Sequence, residues 1–75
     1  MSEVLVQFDT PIVGRDGRTF FARACGQLMP DGRWEGWVEL VPTDARAPLR
    51  TPRETTQPDF EDLMYWATGL TMVYL

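Results

Sequence analysis

Seventy-five residues make room for one domain, and the formal charge of −4 comes from eleven acidic side chains against seven arginines, with no lysine. A chain this short buries only about 60% of the surface that its unfolded form exposes, so disulfides, metals or self-association usually supplement such a core. One cysteine and no histidine exclude a disulfide framework and a tetrahedral zinc set, and arginines scattered along an acidic chain argue against nucleic acid, which is bound through clustered cations.

The opening run, Met1 to Val6, lacks the basic region and the longer apolar stretch of a secretory signal, which predicts a cytoplasmic protein. The longest uncharged run, Leu63 to Leu75, falls short of the roughly 18 to 20 apolar residues that span a bilayer, so no membrane association is expected.

Residues 1–42 read as a three-stranded antiparallel β-meander. Three β-rich runs are separated by Arg15-Asp16-Gly17 and Pro30-Asp31-Gly32, and a three-residue hairpin loop needs a left-handed residue in its last position, where glycine bears no Cβ penalty. Closing the first loop on Gly14 and Arg18 pairs Ile12 with Phe20, Phe8 with Ala24, Val6 with Gly26 and Val4 with Leu28. Closing the second on Met29 and Arg33 pairs Leu28 with Trp34, Gly26 with Gly36, Ala24 with Val38 and Ala22 with Leu40. One face is then almost wholly apolar, and the other aligns Asp9, Arg23 and Glu39 as an opposite-charge row.

Residues 43–57 read as a connector, in which Leu49, Arg50 and Thr51 allow a short fourth edge strand between prolines. A helix over residues 58–75 is predicted by Thr56 with Asp59 three residues on, Pro58 in the first turn, and Asp59, Glu61 and Asp62 at the positive end of the dipole. Its apolar arc, Phe60, Leu63, Met64, Ala67, Leu70, Thr71, Tyr74 and Leu75, packs on the sheet, where small residues at 22, 24, 26 and 36 leave room for it. Leu70 to Leu75 also has strand propensity; the strong start favours a continuous helix. The expected fold class is therefore α+β, one domain over 1–75, with a single C-terminal helix on one face of the meander.

No catalytic residue, cofactor or metal ligand is assigned. Cys25 has no histidine to activate it and reads as a small hydrophobe in mid-strand. The carboxylate pairs Asp9/Glu39 and Asp59/Asp62 have structural roles beside Arg23 and at the helix start. Two surfaces remain as candidates. On the outer sheet face, Leu5, Phe21, Cys25, Trp37 and Val41 surround Arg23 and Gln27. Phe21, Arg23 and Trp37, with Arg53 and Thr55 from the polar stretch before the helix, form a candidate binding face for a small molecule or peptide. On the back of the helix, Tyr65, Trp66, Gly69, Met72 and Val73 are types suited to an interface core, which predicts a homodimer or other symmetric oligomer.

The stretch Arg53-Glu54-Thr55-Thr56-Gln57-Pro58, with Tyr65-Trp66-Ala67-Thr68-Gly69-Leu70 after it, resembles short uncharacterised bacterial proteins, including the kind encoded by isolated reading frames and integron gene cassettes. The resemblance covers mainly residues 50–75. It implies a compact bacterial protein and carries over no catalytic residue. A self-associating interaction protein is the first functional expectation, a ligand- or peptide-binding protein the second, and an enzyme without recognisable catalytic residues the third.

Overall fold

The computed structural model describes residues 2–44 and 46–70. Seven elements follow in order: β1 (Ser2–Gln7), β2 (Ile12–Val13), β3 (Thr19–Leu28), β4 (Trp34–Pro42), β5 (Leu49–Arg50), β6 (Thr55–Gln57) and α1 (Phe60–Thr68). The fold is α+β, and its six strand segments form one antiparallel sheet rather than the expected three-stranded meander. They occupy four rows: β1 with β2, then β3, then β4, then β5 with β6.

The two hairpin loops match in detail. Gly17 and Gly32 sit at φ 81° and 86°. Gly14 and Met29 each donate to the carbonyl of the closing arginine at 2.7 Å, while Asp16 and Asp31 accept from the N–H of Arg18 and Arg33. The second hairpin keeps the expected register, Leu28 opposite Trp34 through Ala22 opposite Leu40.

The first row departs from expectation beyond Ile12, which does pair with Phe20. Pro11 has no N–H to give a ladder, so residues 9–11 leave it, and pairing resumes with Phe8 N–H donating to Ala22 O at 3.0 Å and Gln7 opposite Arg23. A second irregularity at Leu5 places Val6 opposite Ala24 but Val4 opposite Cys25. The pairings of Phe8 with Ala24, Val6 with Gly26 and Val4 with Leu28 are thus corrected. An odd insertion reverses side-chain parity. Leu5 packs toward the core and Val4 takes the outer face.

The last row is the allowed edge strand made longer. β5 pairs with Leu40 and Glu39, and β6 with Gly36, Glu35 and Trp34. Between them Thr51 exchanges bonds with Val38 and Glu54 N–H donates to Gly36 O. The residue before proline resists the helical region, so Gln57 stays extended and α1 starts after Pro58. Its N-cap is Asp59 rather than Thr56, with Oδ1 accepting from Asp62 N–H at 2.8 Å. The helix ends at Thr68, and Gly69, a poor helix former, caps it. Continuation through Leu70 is therefore corrected, and residues 71–75 lie outside the described residues.

α1 packs on one sheet face through Leu63, Ala67 and Trp66. A Cβ on Gly26 would lie 2.6 Å from Leu63 Cδ2, and one on Gly36 2.6 Å from Trp66 Cζ3. Phe8, Ala22, Ala24, Val38, Ala67 and Leu70 form the core. The result is a slab of 40 × 24 × 16 Å. No helix among the described residues is long and apolar enough to cross a membrane.

Candidate functional site

Alternation along β3 and β4 sends Phe21, Arg23, Cys25 and Gln27, and opposite them Val41, Glu39, Trp37 and Glu35, to the face away from α1. Paired side chains stand on one face, and successive pairs on that face are about 7 Å apart along the strands. Four cross-strand rows result. Phe21 and Val41 make a half-buried apolar row.

The next row is ionic. Glu39 Oε1 accepts from Arg23 Nε at 2.8 Å and Nη2 at 2.6 Å, and Oε2 accepts from Trp37 Nε1 at 3.0 Å. These donors, the Trp37 N–H foremost, hold the Glu39 carboxyl below its ordinary value of 4.5 although its partial burial opposes them. Both oxygens are occupied and the group is ionised, so Glu39 is a structural anion and no proton donor. Arg50, opposite Glu39 on β5, completes the row and lays its guanidinium carbon 3.8 Å from the centroid of the Trp37 ring.

Beneath that stack Trp37 and Cys25 are 1% and 2% exposed. Burial, then the negative charge of Glu39, raise the Cys25 thiol above 9.0, which makes the thiolate scarce and the group inert. In the last row Gln27 donates to Glu35, and the Arg53 guanidinium stands 3.8 Å from the Glu35 carboxylate.

Of the residues expected on a binding face, Phe21, Arg23 and Trp37 are brought together, but Trp37 lies under Arg50 and offers no surface of its own. Arg53 reaches the far row. Thr55 does not join them. It pairs with Gly36 on the helix side, and its hydroxyl accepts from Gln57 Nε2 at 2.6 Å. Asp9, expected beside Arg23, is replaced there by Gln7, and Leu5 by Val4.

The expected oligomer patch is also dispersed. Tyr65 is 84% exposed, Gly69 is the exposed helix cap, and Met72 and Val73 lie outside the described residues. Trp66 is corrected from the back of the helix to the sheet side, where its ring sits over Gly36. With nine helical residues the helix crosses the sheet at Leu63 and Ala67, and the residue three beyond Leu63 shares that side.

Arg50 joins this face without having been among the residues expected there. Its signal was the same alternation applied to the edge strand, with Leu49 opposite Leu40 and Arg50 opposite Glu39. The described residues form no enclosed pocket, and no group of three or more Cys, Asp or Glu among them is placed to hold a metal ion. The surface presents a flat strip of apolar, ionic and aromatic rows. Comparison with protein-family models, curated proteins and solved structures returned no match, and no role is carried to these residues from a relative.

Proposed function

We propose that this chain is a small protein-binding module whose recognition surface is the sheet face opposite α1. The observation that carries the reading is the Arg23–Glu39–Trp37–Arg50 network, a rigid set of interface-type side chains on a face that no described helix covers. Arginine is a type enriched among residues that dominate binding energy, and the buried Trp37 serves to hold Arg50 in place. Flatness suits a protein or peptide better than a small molecule, which is usually enclosed.

A second reading, self-association through the same face, is favoured by its mixed signs. Arg23 and Arg50 stand beside Glu35 and Glu39, so two copies related by a two-fold axis offer each other both charges. The slab outline of 40 × 24 Å is large enough for the roughly 800 Å² that a standard interface takes from each partner.

Native mass spectrometry from low to high micromolar concentration separates the two readings. A dimer lost in Phe21→Glu and kept in Tyr65→Glu favours self-association. A monomer that captures a partner with the same dependence on the two variants, each shown to be folded by circular dichroism, favours the module. Capture that fails only in Tyr65→Glu refutes both and moves the surface to the helix.

A further inference from the structure

The open face carries a local charge opposite in sign to the rest of the chain. Arg23, Arg50 and Arg53 stand there against Glu35 and Glu39, a surplus of one positive charge, whereas the whole chain carries −4; the remainder therefore carries −5. Two of the arginines are taken. Arg23 is bonded to Glu39 and Arg53 faces Glu35. Arg50 is the surplus cation: among the described residues it has no hydrogen-bond or ion-pair partner and rests on the Trp37 ring.

A guanidinium held over an aromatic ring still has N–H donors to offer, in the fork that matches a carboxylate. The indole beneath is itself fixed by its bond to Glu39, so little freedom remains to be lost on binding. Glu39, with both oxygens already bonded to Arg23 and Trp37, acts on Arg50 through its charge but not through a hydrogen bond.

We infer that Arg50, held on Trp37, is the docking point for a carboxylate of an acidic, extended peptide segment in a partner protein; the inference rests on the open-face reading above. An extended chain places same-side residues about 7 Å apart. A glutamate at Arg50 therefore sets an apolar side chain two residues away over Phe21 and Val41. One surplus charge suits a single carboxylate. A nucleic-acid backbone needs several cations and would meet repulsion from the acidic remainder.

The test is a ¹H–¹⁵N NMR titration of the full chain with a soluble Glu-Ser-Val-Ser repeat peptide, which puts glutamate and valine on the same side of an extended chain, and with its glutamine counterpart. The Trp37 Nε1–H signal, bonded to Glu39, is the local reporter. The glutamate peptide is expected to shift that signal and the amides of residues 21, 23, 39, 41 and 50 by about 1 mM. Arg50→Gln is expected to weaken it about tenfold, as loss of a charged hydrogen-bonding partner does, with Arg50→Lys intermediate and the Trp37 signal of the unbound variants still in its bonded position. Equal binding of both peptides to this face overturns the carboxylate inference and leaves the open-face module standing. Shifts confined to the helix or the hairpin loops, or none at all, overturn both. A short single-stranded oligonucleotide that binds the same residues more tightly than the peptide also overturns the inference.

Discussion

Gly36→Ala is the sharpest probe of how the helix sits on the sheet. A Cβ there would lie 2.6 Å from Trp66 Cζ3, 3.0 Å from Leu63 Cδ1 and 3.1 Å from Thr55 Cγ2. Leu63 is fully buried and lies over both glycines, so the helix must lift or the Trp66 ring must leave its place. Overpacking of this kind costs about 1–3 kcal/mol, less the roughly 0.5–1 kcal/mol that alanine gains over glycine in a strand. The net loss runs from near zero to about 2.5 kcal/mol, which in a domain of this size lowers Tm by up to about 20 °C. Urea unfolding followed by circular dichroism measures it. Trp66→Leu in the same background removes the clashing ring, so the double variant should be at least about 0.5 kcal/mol more stable than the two single losses sum to. A raised stability in Gly36→Ala, or strict additivity in the cycle, would refute the packing and return Trp66 to the outer side of the helix.

Gly32→Ala meets open space but holds φ 86°, so its cost of about 1 kcal/mol comes from the backbone alone and should not couple to Trp66 in thermal melts. Asp59→Ala should remove about 1 kcal/mol with the helix cap while Thr56→Ala leaves urea stability nearly unchanged; the reverse order would restore Thr56 as the cap. Glu39 has a folded pKa below its ordinary 4.5, so its contribution is complete above that value and is lost as pH falls through the lower folded one. Glu39→Gln should flatten the acid limb of a stability-versus-pH curve, and an unchanged limb would assign it to other carboxylates. The Cys25 thiol, buried and raised above 9.0, should resist alkylation at pH 8 until denaturant opens the sheet, whereas fast native labelling would place it at the surface.

The second hairpin was legible to the residue because every cue agreed: loop length, glycine position, parity and volume complementarity from Leu28/Trp34 to Ala22/Leu40. The first row failed where two cues conflicted. Alternation alone carried Val4, Val6 and Phe8 to one face, while Pro11 and the irregularity at Leu5 reset parity within ten residues. Backbone hydrogen-bond supply decided the outcome, and a hydrophobic pattern carries little trace of it. Thr56 satisfied a capping pattern yet became a strand residue opposite Glu35, because the edge of β4 offered unpaired backbone groups to the whole of residues 49–57.

The candidate site shows the same dependence on the edge. Arg23, Glu39 and Trp37 converge through the legible hairpin, and their side-chain types alone suggested a binding face. Arg50 enters only because β5 docks in register with Glu39, and a two-residue strand between prolines has almost no signature of its own. Its position nevertheless decides what the face can do. With Arg50 elsewhere, Trp37 would be an exposed apolar surface and the three arginines would no longer outnumber the two glutamates there. With Arg50 on the ring, Trp37 is 1% exposed and the accessible group is a guanidinium that has no hydrogen-bond partner among the described residues. The face therefore changes from a sticky apolar patch to a charged donor, and the proposed selectivity for a carboxylate rests on the register of two residues at the sheet edge.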